Sequence, residues 1–311
     1  SGDTIITGTV NAAIVCFEDL QLNGNVAAKT ELYGSLTTST SPAGSATFTG
    51  NVFVLGDTDA ELDAPVNAQT NFIIQKDSGK AVSIKQNLDV TENFALYSGD
   101  VKLKANITTG KDVILLGSNY ATSDPSTGYT NTYAYNTPRP TDWSQPSFAG
   151  FSDSIKAGSL EADAGTIIHA GKNFYANGTS LTGTAEWFID ILSNADSHLC
   201  FAEAYNSTFS NCTVRKHSGG TNAEEDDEHA QIMAEACTIA ANCKHFDNTD
   251  FEIEEAWTTR DNVVYVKFNR AVRNLHGELN GEISNFKYFN AAECDTPYSG
   301  FFINDDASVA L

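Results

Sequence analysis

The first half of the chain repeats one phrase, a short run of alternating apolar and polar residues broken by glycine and a small or polar neighbour. It occurs at Gly8-Thr9-Val10, Gly24-Asn25-Val26, Gly34-Ser35-Leu36, Gly50-Asn51-Val52 and Gly99-Asp100-Val101. Period-two alternation turns one side of each run to a core and the other to water. Many such runs, turned at glycine and spaced too unevenly for a strict repeat, read as the rungs of a stacked β-solenoid. Clear runs lie at 46–49, 52–55, 71–74, 82–84, 93–96 and 101–104.

Composition agrees with strands. Only 19% of the 311 residues are charged, and Thr, Ser, Asn, Ala and Gly carry much of the surface, whereas helices favour Glu, Lys, Arg and Leu. A net charge of −22 repels phosphate backbones and anionic membrane surfaces, so nucleic acid and membrane are excluded as partners of this segment. No stretch has the length of a membrane-spanning helix. A start at Ser1 without an apolar leader, and an end without stop-like character, read as a mature or excised segment of a longer polypeptide.

Residues 119–150 break the rhythm. Tyr120, Tyr129, Tyr133, Tyr135 and Trp143 lie among Pro125, Pro138, Pro140 and Pro146, a composition that cannot run as a central strand. A protruding loop follows, its aromatics either open to carbohydrate or protein contact or folded down over a groove of the solenoid.

Strand patterning resumes at 153–160, 165–169 and 173–178. From Gly158 to Phe188, with Ala-Gly-Thr, Ala-Gly-Lys-Asn-Phe, Asn-Gly-Thr and Thr-Gly-Thr-Ala-Glu-Trp-Phe, the wording resembles filamentous-haemagglutinin-like β-helix segments of large bacterial surface proteins, nearest to long spirochaetal, Treponema-type extracellular proteins. The resemblance covers roughly residues 150–280, and the first half only in style. It implies a structural or adhesive role in a stalk, sheath or filament.

Farther on, Phe201-Ala202-Glu203-Ala204 leading to Asn211-Cys212 is echoed by Met233-Ala234-Glu235-Ala236 leading to Asn242-Cys243. Alone, residues 224–243 read as an amphipathic helix with an acidic first turn. The echo favours two rungs instead, because its first copy carries Tyr-Asn-Ser-Thr-Phe-Ser. Stacked rungs would set Cys212 over Cys243 at about 4.8 Å, within disulfide reach. Cys212 with Cys243, and Cys200 with Cys237, are the expected pairs; Cys16 and Cys294 are left unassigned. Six cysteines without a Cys-x-x-Cys pair fit an oxidising, extracellular or cell-surface setting better than zinc.

A loop at about 215–230 would carry Glu224, Glu225, Asp226, Asp227 and Glu228, either a solvated face or hard-oxygen ligands for calcium, the single cofactor considered. Residues 251–311 read as strand, turn, strand and resemble the opening of bacterial Ig-like domains, though the segment is short for a complete sandwich.

No catalytic motif accompanies the solenoid. The arginines are not set beside aspartate in any recognisable rung pattern, and His169 and His198 read as corner or core residues, since no second imidazole is placed beside them. The expected fold is all-β: an elongated parallel β-helix over 1–250 followed by an Ig-like β-domain, complete or partial, over 251–311. The expected function is a non-enzymatic extracellular structural or adhesive protein, partnered by copies of itself, other surface proteins or glycans. In it Thr4, Ile5, Ile6, Thr7 and Val10 serve as an assembly strand. The alternatives are a β-helix polysaccharide lyase or hydrolase, and a carbohydrate-binding module using Tyr129, Tyr133, Tyr135 and Trp143.

Overall fold

The computed structural model describes residues 3–39, 44–77, 79–116, 158–192, 202–217 and 230–248, and beyond these the strands between 253 and 310. All described elements are strands or turns, and none is a helix long and apolar enough to cross a membrane. The chain divides into two compact units, the second containing residues 249–311.

The described residues of the first unit form a stack of ten rungs. β1 (Thr4–Val10) and β2 (Ile14–Cys16) make the first, β3 (Leu20–Val26) and β4 (Thr30–Leu32) the second. Six three-strand rungs follow: β5 (Leu36–Thr37), β6 (Ala46–Phe48) and β7 (Val52–Gly56); β8 (Ala60–Asp63), β9 (Val66–Ala68) and β10 (Phe72–Lys76); β11 (Ala81–Ile84), β12 (Leu88–Val90) and β13 (Phe94–Ser98); β14 (Asp100–Leu103), β15 (Ile107–Thr109) and β16 (Val113–Leu116); β17 (Ser159–Ala162), β18 (Ile167–His169) and β19 (Phe174–Asn177); β20 (Ser180–Gly183), β21 (Trp187–Ile191) and β22 (Ala202–Tyr205). The last two rungs hold β23 (Thr208–Phe209), β24 (Cys212–Lys216) and β25 (Ile232–Glu235), then β26 (Thr238–Ile239) and β27 (Phe246–Asp247). Every pairing between rungs is parallel. β2, β4, β7, β10, β13, β16, β19, β22, β25 and β27 form one ten-stranded sheet, and the other strands a seventeen-stranded sheet bent into two faces. β3 shows how the bend arises: its start pairs with β5 and its end with β6.

Inward residues repeat from rung to rung. Val52, Phe72, Phe94, Val113, Phe174 and Ala202 stand in one register column, with the Phe72 and Phe94 rings stacked at 6.4 Å. Truncating one of these phenylalanines removes contacts above and below and costs about 3–5 kcal/mol.

The corner before that column is held by side-chain amides. Asn71 Nδ2 donates to Asn51 Oδ1 at 3.0 Å, Asn93 Nδ2 to Asn71 Oδ1 at 2.8 Å, the Asp112 backbone N–H to Asn93 Oδ1 at 3.0 Å, and Asn173 Nδ2 to Asp112 Oδ1 at 2.8 Å. These partners lie 20, 22, 19 and 61 residues apart, so one ladder crosses the insertion between β16 and β17 without a break. Burying an amide is tolerable only when its bonds are made, which this stacking achieves.

Two expectations change. Gly8 and Gly24 lie inside β1 and β3 rather than at turns; they are register partners, and a Cβ on Gly24 would collide with the Gly8 carbonyl. The ten-stranded sheet also departs from the pattern of one face inside and one in water. Its outward residues Phe53, Ile73, Ala95, Ile114 and Tyr175 are themselves buried, a second apolar cluster separate from the core. The runs Val52-Phe53-Val54-Leu55 and Phe72-Ile73-Ile74 are apolar on both faces, as strands buried on both sides must be.

The echo is confirmed as two strand rungs rather than a helix, with a changed register. β22 and β25 pair Ala204 with Ala234, two residues off the sequence echo, a shift that keeps each residue on its face. Asn206 and Ala236 share a left-handed corner conformation, with φ of 48° and 52°. One extra residue then separates Ile239 from Asn242, and Asn211 and Asn242 again stand together, the Asn211 N–H donating to Asn242 Oδ1 at 3.1 Å.

The second unit is antiparallel. β28 (Ile253–Thr258) and β29 (Val264–Phe268), the two expected strands, pair with each other; β30 (Lys287–Asn290) pairs with β31 (Glu293–Pro297), and β32 (Phe302–Ile303) and β33 (Ser308–Ala310) join a four-stranded sheet in the order β28-β29-β33-β32.

Asn71→Ala removes one donor and one acceptor from a buried ladder, whereas Asn67 on β9 is exposed. In urea unfolding we expect a loss of about 1–3 kcal/mol for Asn71→Ala and within about 0.5 kcal/mol of no change for Asn67→Ala.

Candidate functional site, a buried charge cluster on the outer face

β18, β21 and β24 lie one above another in the seventeen-stranded sheet, and their outward positions bring chemistry together. Register sets His169 beside Asp190 and Asp190 beside Arg215. Arg215 donates twice to the carboxylate, Nε to Oδ1 at 2.7 Å and Nη2 to Oδ2 at 3.0 Å, the bidentate fork that best matches these two groups. Its guanidinium also lies 3.9 Å over the centre of the Phe188 ring. His169 Nδ1 is 3.2 Å from Asp190 Oδ2 but not aligned as a hydrogen bond, and the two form an ion pair only when His169 is protonated. The His217 ring lies 5.1 Å from that of His169.

Although it points away from the core, the Asp190 side chain is only 1% exposed. Burial pushes the His169 pKa below its usual value; the Asp190 charge opposes this, while His217 and Arg215 add to it. At neutral pH His169 is therefore neutral. Both carboxylate oxygens are bound by Arg215, which leaves Asp190 poorly placed to act as a base or nucleophile. Among the described residues no group of three or more His, Cys, Asp or Glu could hold a metal ion.

The sequence pattern concealed this site. Arg215 was expected to have no aspartate beside it and His169 no second imidazole; the rungs supply both, from 25 residues away in the first case. The available signal was positional, since Asp190 follows Trp187 by the same three residues as Arg215 follows Cys212, and Trp187 and Cys212 are register partners.

Lys76 is a second buried charge. Its Nζ donates to the Leu55 and Tyr33 carbonyls at 2.6 and 2.8 Å, tying rung four to rungs two and three, and burial lowers its pKa to about 8. Cys212 is buried and Cys243 partly so; both are free thiols, brought to adjacent rungs by the Thr213–Lys244 bridge. The Cys212 pKa is raised by burial and then by Cys243. Cys237 accepts from the Ser207 N–H at 3.4 Å, while its expected partner Cys200 lies outside the described residues. Tyr129, Tyr133, Tyr135, Trp143 and the acidic run Glu224, Glu225, Asp226, Asp227, Glu228 lie outside them as well. Thr4, Ile5, Ile6, Thr7 and Val10 form the first rung itself, paired with β3 along their whole length.

Asp190→Asn would strand the largely buried Arg215 cation, and we expect it to lower stability by about 3 kcal/mol or more in urea unfolding. A depressed His169 pKa means that the unfolded chain takes up its proton first as pH falls. Stability present above about pH 6.5 is then lost on acidification toward the folded-state value. The urea midpoint should fall as pH is lowered through that window, and fall less in His169→Gln. No family model, curated protein or solved structure matches the chain.

Proposed function

We propose that the chain is a non-enzymatic structural or adhesive segment of an extracellular bacterial stalk, sheath or filament. The observation that carries this reading is the stack: successive rungs spend their backbone hydrogen bonds on each other, and the Asn51–Asn71–Asn93–Asp112–Asn173 ladder, buried from Asn71 onward, spends its side chains the same way. Such a chain invests its polar chemistry in holding length, at about 4.8 Å per rung.

The resemblance to filamentous-haemagglutinin-like proteins points the same way. In this reading the antiparallel unit at 253–310 is an Ig-like domain or part of one, and partners are copies of the chain, other surface proteins or glycans meeting Tyr129, Tyr133, Tyr135 and Trp143. Calcium would serve the acidic run at 224–228 in an extracellular setting. There Cys212 and Cys243, one rung apart, would close into a disulfide.

A second reading, a polysaccharide lyase or hydrolase, draws on one observation, the meeting of Asp190, His169 and Arg215 on the outside of a β-helix. Incubation with acidic and neutral polysaccharides separates the two. The structural reading expects no new reducing ends and no unsaturated products; turnover abolished by a conservative change in the cluster, such as His169→Gln, would replace it with the enzymatic one.

A further inference from the structure

Among the described residues, the first rung presents an edge that no other strand uses. The Thr4 N–H donates to the Asp19 carbonyl and the Val10 carbonyl accepts from the Ala27 N–H, so both ends of β1 face the second rung. Strand alternation then turns the N–H and C=O groups of Ile5, Thr7 and Thr9 the other way, where no described strand meets them. Apolar exposure gathers at the same end. Ile5 is 68% exposed, Phe17 70% and Val15 49%, three of the five large apolar side chains exposed among the described residues. An uncovered edge of this length is a template for another strand.

We propose that this edge joins two copies of the chain head to head, β1 pairing with the partner's β1 in antiparallel register about a two-fold axis at Thr7. The inference rests on the structural reading above and names the partner. A two-fold axis brings the same patch of both copies together and closes the assembly at two. With Thr7 opposite the partner's Thr7, Ile5 meets the partner's Thr9, and the three outward-facing N–H and C=O pairs of each strand all find partners. The inward residues match as well. Thr4 stands opposite the partner's Val10, and Ile6 opposite the partner's Gly8, where a side-chain carbon would meet nothing within 4 Å. The two apolar columns thereby become continuous across the joint. A head-to-tail arrangement has less to offer, since the described strands of the last rung, β26 and β27, are two residues long each against seven in β1.

Each copy carries −22, so pairing strengthens as salt screens that charge. The contact is small, so a high protein concentration is needed to populate it. Light scattering coupled to gel filtration of the 311-residue chain, at roughly 100 µM and raised salt, should give twice its 33.4 kDa. Thr7→Pro removes an edge N–H that the first rung does not use and should weaken the dimer at least about tenfold, with the circular dichroism of the monomer unchanged. Thr7→Cys should give a cross-linked dimer whose peptide map shows position 7 joined to position 7. A wild-type chain that stays monomeric at every salt concentration while keeping its β spectrum overturns the pairing and leaves the structural reading standing. A dimer indifferent to Thr7→Pro, or one without the 7–7 link, overturns it too.

Discussion

Parallel stacking of one rung on the next is the constraint on which the rest depends. A parallel ladder leaves no short hairpin to fix register, so each rung must return to the same corner by other means. Here the corner is fixed by buried amides. Asn51, Asn71 and Asn93 each take the place that the next will take one rung on, and a one-residue slip would orphan two buried groups at once. Asp112 occupies a rung of this ladder with a carboxylate in place of an amide, accepting from Asn173 on the far side of the insertion. The ladder thereby continues from β16 to β19, although 61 positions of chain separate Asp112 from Asn173.

Charge is placed to serve the same end. Lys76 bonds carbonyls of two earlier rungs, and Arg215 and Asp190 bind rungs eight and nine with His169 set against them from rung seven. A buried pair of this kind adds little net stability against an apolar substitute, yet punishes any register that separates the partners. Its worth is in specifying one stacking, which suits a molecule whose rungs are otherwise interchangeable stretches of Val, Leu, Ile and Phe.

Much of the fold was legible because strands announce themselves locally. Val82-Ser83-Ile84 and Val101-Lys102-Leu103 alternate plainly, and both are strands at those positions. The Asn-Cys half of the echo located true rung neighbours, whereas its Ala-Glu-Ala half missed register by two, because side-chain periodicity cannot distinguish shifts of two. The doubly buried sheet was written in Val52-Phe53-Val54-Leu55, a continuous apolar run that alternation alone reads as ordinary strand. The charge cluster was least legible. Its members are separated by corners of unequal length, so no fixed spacing joins His169 to Asp190 or Asp190 to Arg215, and three-dimensional register is what makes them neighbours.

The rungs that precede residue 117 and those that follow residue 157 are stacked in one parallel register. Lys102 on β14 and Glu161 on β17 are register partners with exposed side chains, 59 positions apart in the chain. The double variant Lys102→Cys with Glu161→Cys should form a disulfide under mild oxidation, assigned by peptide mapping, because neighbouring strands stand about 4.8 Å apart. Lys104→Cys with Glu161→Cys, two residues out of register and beyond the reach of about 7 Å, should not. A bridge in the second pair and none in the first would contradict the stacking described here.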